Sequence, residues 1–293
     1  MKKIGLVSDA GADLAPEIIE KHHMPIAPGA LDWPDIENLP GENTFQKMRE
    51  LEKKGIKSFG KTSQPSPKSF LDAFKLQLER FDEVVCITIT SKLSGTYNSA
   101  IQGRKFLPKE QQEKIFIVDS LSASGGEALP VLYAIDLIEK GKGAAEIAQE
   151  LEKLIPQISV LVMFKDPKWL EASGRISSLA ANLLRRLAKA GIRPLLTFKE
   201  GLLVPGGIRR KAKDIPSALF EQVKSKIKKP AQQGKKFRIV ITHGDDWKGA
   251  ERLKKMIEEE IPNTRISFIN IINDFVGALM GPDTLICAWH EKL

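Results

Sequence analysis

The chain has 293 residues, of which 42% are hydrophobic and 28% charged, and a formal net charge of +8. This composition suits a soluble globular protein of two domains. With only Cys86 and Cys287, each inside an apolar run, it excludes a disulfide scaffold. No run approaches the ~20 apolar residues of a membrane span, and the apolar stretch after Met1 is too short for a signal-peptide core. A cytoplasmic location is therefore expected.

Strands and helices alternate through the first half. Ile4 to Val7 reads as a strand, and Asp13 as the cap of a helix with Pro16 in its first turn. Residues 25 to 43 are rich in Pro, Gly, Asp and Asn and read as an irregular excursion, followed by a helix from about Thr44. Ser66 and Pro67 open a helix whose apolar stripe is Phe70, Phe74, Leu78 and Phe81. Glu83 to Thr90 is a β-branched strand with the pattern of one buried on both faces. A helix from Gly95, a strand at Ile115 to Val118, a helix from Ser124 to Lys140 and a further helix to Leu154 complete this half. The alternation predicts a parallel sheet with right-handed crossovers.

Ile155 to Ser159 marks the expected boundary, giving domains 1–157 and 158–293. Val160 to Phe164 begins the second as a strand. Ser177 or Ser178 opens a helix through Lys189. Arg193 to Phe198 and Leu202 to Gly206 form a hairpin around Lys199-Glu200-Gly201. A long helix from Asp214, a strand at Phe237 to Thr242, a helix from Trp247, a strand at Arg265 to Ile272 and a last strand at Leu285 to Trp289 follow. The predicted class is α/β with two domains: an N-terminal parallel-sheet, Rossmann-like domain and a C-terminal mixed-sheet α/β domain.

In an open parallel sheet, ligands gather beyond the carboxyl ends of the strands. Four loops there are rich in hydroxyls and glycine: Ser8 to Gly11, Lys61 to Pro67, Thr90 to Ser99, and Asp119 to Gly126. Hydroxyls and free N–H groups at helix starts favour a carboxylate or a phosphate. Each loop alone reads more readily as a helix cap than as a ligand site; it is the accumulation of four on one sheet edge that raises the functional reading. No Walker A or G-x-G-x-x-G pattern occurs, and no metal-ligand spacing, so neither a cofactor nor a metal is expected. Of the four histidines only His243 lies in a plausible site position, and Leu93-Ser94-Gly95-Thr96 is not the G-x-S-x-G elbow of hydrolases. Aromatics are not interleaved with the lysines of the long helix, so nucleic acid is not an expected partner. On the residues alone, an α/β enzyme acting on a small phosphate- or carboxylate-bearing metabolite at these loops remains an alternative.

Several segments resemble the bacterial DegV family. Lys61-Thr62-Ser63-Gln64-Pro65-Ser66 is similar to its K-T-S-Q-P-S stretch, and Ser91 to Ala100 to its S-x-L-S-G-T-Y-x-S-A signature. Val118-Asp119-Ser120 with Ser122, Ala123 and Ser124 resembles V-D-S-x-x-A-S. Ser173-Gly174-Arg175-Ile176 is similar to G-G-R-I, Arg209 and Lys213 match basic positions after the hairpin, and Gly281-Pro282 is similar to the G-P of the last motif.

The resemblance implies two α/β domains with a long-chain fatty acid or related lipid held between them. It implies a non-catalytic carrier, one that presents the carboxylate to a separate kinase subunit for acyl-phosphate formation. Thr62, Ser63, Ser94 and Gly95 would hold the head group. Phe70, Phe74, Phe164, Leu183 and Leu279 are candidates for the tunnel lining, each reading also as ordinary core. Arg175, Arg209 and His243 are further candidates for head-group or partner contacts. A positive face can also touch an anionic membrane surface transiently. The last motif departs from the family's G-T-H-x-G-P-G: Leu279 stands at the His position and Asp283 at the final Gly. A lost donor and a new acidic residue are expected to weaken carboxylate binding, with His243 or Arg175 as replacement donors.

Overall fold

The computed structural model describes residues 2–190, 192–210 and 214–292; Lys213 lies outside them. The strands are β1 Ile4–Asp9, β2 Ile26–Ala27, β3 Ala30–Asp32, β4 Lys61–Ser63, β5 Glu83–Thr88, β6 Ile115–Asp119, β7 Ser159–Met163, β8 Ile192–Lys199, β9 Leu202–Arg210, β10 Phe237–His243, β11 Thr264–Ile271 and β12 Leu285–Glu291. Among the described residues no helix is long and apolar enough to cross a membrane. The chain divides into two compact units. One comprises Met1–Ala30, Ser63–Ile158 and Glu200–Leu202, the other Leu31–Thr62, Ser159–Lys199 and Leu203–Leu293.

The first unit is built on a four-stranded sheet in the order β2-β1-β5-β6, with every pairing parallel. All six residues of β1 are buried, and all but the first of β5, as an apolar run covered on both faces requires. The helix Pro67–Leu78 starts where the sequence placed it, with Ser66 Oγ accepting from the Ser69 N–H at 3.1 Å. Phe70 and Phe74 on that helix are fully buried against Val7, Val84, Cys86, Ala100 and Ile115. Their rings lie 6.0 Å apart. The helical spacing thus located an apolar face, and the structure shows it packed into the core. Burying each such ring stabilises the fold by about 1.5–3 kcal/mol. Asp13 does not cap the next helix. It takes a left-handed φ of 49° and accepts from Ser124 Oγ, while the helix Pro16–Lys21 starts from Ala15 without a side-chain cap.

The second unit carries a six-stranded sheet in the order β11-β10-β12-β7-β8-β9. β10 pairs parallel with β11, while β10–β12, β12–β7 and β7–β8 are antiparallel. β8 turns into β9 through Glu200 and Gly201, at φ 50° and 82°, the two positive-φ residues of a tight hairpin turn. Phe237, Ile239 and Ile241 alternate onto one face of β10. There they join Leu219 and Val223 of the helix Ile215–Gln232 and Leu253 and Ile257 of the helix Trp247–Glu260. His243, two residues further on, belongs by its period to the same face.

Residues 31–62 belong to this second unit, so one cut at 157/158 does not describe the chain. The helix Thr44–Lys53 buries Phe45, Met48 and Leu51. A Cβ on Gly277 would meet the Phe45 ring at 2.5 Å, so only glycine admits that ring. Asn43 Nδ2 donates to Asp245 Oδ1 at 3.0 Å. These partners lie some two hundred positions away, beyond the reach of any local pattern.

Candidate functional site

β1, β5 and β6 are neighbours in one parallel sheet, so the loops after them gather at its carboxyl edge. The loops are also bonded together. Ser124 N donates to Gly11 O at 2.7 Å, Thr90 N to Ser122 O at 2.8 Å and Ser120 N to Thr88 O at 3.0 Å. Asp119 accepts from the N–H groups of Ser91 and Leu121.

Ser94 and Gly95 precede the helix Thr96–Lys105. The Ser94 and Thr96 hydroxyls share a hydrogen bond of 2.7 Å, and the Thr96 N–H donates to Ser94 Oγ at 3.3 Å. The half-buried Ser94 hydroxyl is therefore oriented. Gln64 Nε2 donates to Ser99 Oγ at 3.0 Å. Its side chain lies over Gly95 so closely that a Cβ there would meet Gln64 Oε1 at 2.1 Å. Gln64 thus clips the segment from Ser63 onward to the Ser94–Gly95 loop. In the sequence Gln64 is one residue of the K-T-S-Q-P-S stretch, and nothing local marks its contact with Gly95 and Ser99.

Thr62 closes the second unit's first segment, and the exposed Ser63 begins the next. The Thr62 hydroxyl oxygen is buried and has no hydrogen-bond partner among the described residues. A buried hydroxyl left unbonded costs about 1–3 kcal/mol, so this oxygen calls for a partner from outside the protein, water or ligand.

Of the other predicted contacts, Arg175 is half-buried and donates to Ser173 O at 2.9 Å; burial lowers its pKa. Arg209 donates to Glu221 O and to Ser225 Oγ, each at 3.1 Å. His243 is 4% exposed and stands edge-on to Trp247, with ring centroids 5.5 Å apart. Its Nδ1 accepts from the Asp246 N–H at 3.2 Å, and its Nε2 has no partner among the described residues. Burial holds its pKa below the ordinary histidine value, against the opposing pull of Asp245 and Asp246. Leu279 is half-buried on the helix Asp274–Met280.

Asp283 does not stand as a free acidic group. Its Oδ1 accepts from Arg49 Nη2 at 2.7 Å and its Oδ2 from Lys165 at 3.0 Å. Arg49 also pairs with Asp245. Burial pushes the Asp283 carboxyl up, but Arg49 and Lys165 outweigh it and hold the group below the usual carboxylate range. Asp283 adopts φ 62° and Asp245 φ 60°, a left-handed conformation that aspartate tolerates. The acidic residue at the glycine position is thus neutralised locally. Arg49 was not singled out from the sequence, because both its partners are distant.

Phe164 and Leu184 line a cavity of about 150 Å³ together with Met163, Lys165, Arg193 and Pro194. This is below the ~300 Å³ at which ligand pockets begin, so it does not alone enclose a long acyl chain. A cavity of about 390 Å³ is walled by Leu51, Ile56, Phe59 and Trp169, none foreseen as ligand contacts. Leu183 is 58% exposed and Leu179 82%. Leu183 is therefore not enclosed; its i, i+4 stripe with Leu179 faces outward. Among the described residues, no group of three or more His, Cys, Asp or Glu could hold a metal ion.

Comparison with known proteins gives these features a family. A family model described as "Uncharacterised protein, DegV family" matches residues 3–292. A "Fatty acid-binding protein" of Thermotoga maritima is 30% identical over 260 residues, covering 86% of this chain and 85% of the relative. A solved structure described as fatty acid binding of a DegV family protein from Thermus thermophilus superposes with a TM-score of 0.83 at 25% identity, over 99% of this chain and 100% of that one. A stearic acid-binding protein from Eubacterium ventriosum gives a TM-score of 0.81 at 25% identity, over 100% and 99%. The chain belongs to the DegV family.

Proposed function

We propose that this protein binds a long-chain fatty acid, burying the acyl chain and holding the carboxylate at Thr62 and the Ser94–Gly95 loop. The observation that carries this reading is the Thr62 hydroxyl, buried without a partner among the described residues, in a chain whose relatives are described as fatty acid-binding. Hydroxyls and backbone N–H groups stabilise a carboxylate through short charge-assisted bonds without burying a second permanent charge. The tail supplies most of the affinity, at about 0.8 kcal/mol per buried CH₂. Ser94 is set for this by its bond to Thr96, and Gln64 fixes the approach of the preceding segment.

We further infer that the carrier is non-catalytic and presents the carboxylate to a separate kinase subunit in the cytoplasm, where Cys86 and Cys287 remain free thiols. The resemblance of Thr62 to Ser66 and Ser91 to Ala100 to the DegV motifs supports this partnership.

The test has two arms. Protein purified from a lipid-containing host, denatured and extracted, should yield one acyl chain per chain by mass spectrometry. Thr62→Val and Ser94→Ala should each weaken fatty-acid binding roughly tenfold, the value of a hydrogen bond to a charged group. Protein that carries no acyl chain and takes up none when offered would defeat the proposal. Wild-type affinity in both variants would remove these loops from the head-group role.

A further inference from the structure

The first unit buries three carboxyl groups at the edge that carries the Ser94 loop. Asp9 is 1% exposed, Glu127 0% and Asp13 5%. Asp9 is the last residue of β1. Its Oδ1 accepts from the Gly11 N–H at 2.7 Å and its Oδ2 from the Ile89 N–H at 2.9 Å. Ile89 follows the end of β5 directly. The next residue, Thr90, accepts the N–H groups of Leu93 and Ser94 on its carbonyl at 3.3 and 3.2 Å. One carboxylate therefore ties the exit of β1 to the exit of β5, and the tie runs through Thr90 to Ser94.

Glu127 lies in the first turn of the helix Gly125–Glu139 and meets Asp9. A Cβ on Gly11 would lie 2.8 Å from Asp9 Oδ1 and 3.0 Å from Glu127 Oε2, so the two carboxyls crowd one small space. As two carboxylates the pair would have no donor between them; with a proton on Glu127 it has one. Two like charges at this depth cannot both persist.

We propose that Asp9 is the positioning residue for the Ser94–Gly95 loop, and that a proton held on Glu127 allows its carboxylate to remain buried there. The inference rests on the head-group role of that loop and adds the group that aims it. The charged groups acting on Glu127 are acidic: Asp9, Asp13 from the turn after β1 and Asp119 at the end of β6. Asp13 accepts from Ser124 Oγ, and Asp119 from Ser91 and Leu121. The buried Cys86 thiol on β5 faces the same pair; burial, then Asp9 and Glu127, raise its pKa. Burial pushes Asp9 up to about 6, against the lowering bonds from Ile89, Gly11 and Glu127. As the pH falls through that value Asp9 takes up a proton and accepts less strongly from Gly11 and Ile89. The loop then loosens.

The experiment follows the backbone amides of the full chain by NMR while fatty-acid affinity is measured on the same samples. In ligand-free wild type, Gly11 and Ile89 should titrate together with a midpoint near 6, and Ser94 should follow. Asp9→Asn should abolish the titration and weaken fatty-acid binding about tenfold near neutral pH, leaving a profile that no longer changes with pH. Glu127→Gln keeps a donor toward Asp9 and should keep wild-type affinity near neutral pH. Gly11 and Ile89 amides that do not move across this range, or an Asp9→Asn variant with wild-type affinity, would overturn the proposal. The wild-type titration needs no variant, so it decides the matter even if Asp9→Asn does not fold. Amides that titrate as expected in a protein that binds no fatty acid would sink the lipid reading and leave the positioning role standing.

Discussion

Replacing Gly95 with alanine probes the contact that joins the two hydroxyl-bearing segments. The added methyl would sit 2.1 Å from Gln64 Oε1 and 2.6 Å from its Cδ, well inside the ~3.5 Å of normal contact. Gly95 has φ −79°, which alanine adopts without strain. The consequence therefore falls on Gln64, whose exposed side chain swings away and gives up its bond to Ser99. One neutral hydrogen bond is worth about 1 kcal/mol. The loop must then be re-ordered when ligand binds, so affinity should fall about fivefold. Gln64→Ala loses the same bond and should show the same loss. In the double variant the methyl has nothing left to displace, and affinity should equal that of either single variant. The coupling energy is then about 1 kcal/mol. Displacement of a fluorescent fatty-acid analogue from the four delipidated proteins measures it. A double variant weakened on the order of 25-fold, the product of two independent effects, would refute the clip.

Arg49→Met leaves Asp245 and Asp283, whose side chains are 24% and 30% exposed, without their shared cation. Such half-buried pairs fall between surface and core values, so the expected loss is about 2 kcal/mol. Thermal unfolding should shift down by roughly 4–8 °C, and a shift under about 1 °C would contradict the network's role. Glu127→Gln tests the buried proton through stability. Burial, then its acidic neighbours, hold the Glu127 carboxyl well above its ordinary value. Its stabilising contribution is thus fully present below the unfolded pKa and lost as pH rises toward the folded one. Glutamine does not titrate. Urea unfolding from about pH 5 to about pH 8 should show the variant gaining on wild type as pH rises, and a constant difference would rule the proton out.

The elements with strong local signals were legible in the sequence. Ser66 caps its helix as expected, and of the two serines open for the next start, Ser177 is the cap. The β-branched run from Glu83 is a buried strand, and Glu200-Gly201 makes the hairpin turn. Asp13 misled because its side chain serves Ser124, not the adjacent helix. The stripe containing Phe70 and Phe74 and the pair Leu179 and Leu183 have the same helical spacing, yet one is core and the other faces outward. Spacing gives the direction of a side chain, not what lies opposite it.

For the site, the sequence determined which residue types stand together in each loop, and the parallel order that brings the loops after β1, β5 and β6 to one edge. Both follow from short-range rules, namely capping, strand period and crossover handedness. Long-range packing, in contrast, set residues 31–62 with the C-terminal unit, paired Asp283 with Arg49 and Lys165, and brought the Asp9 and Glu127 carboxyls beside Gly11. The reason is separation. Each of those contacts joins groups a hundred or more positions apart in the chain, where burial and charge pairing, not local propensity, set the partner.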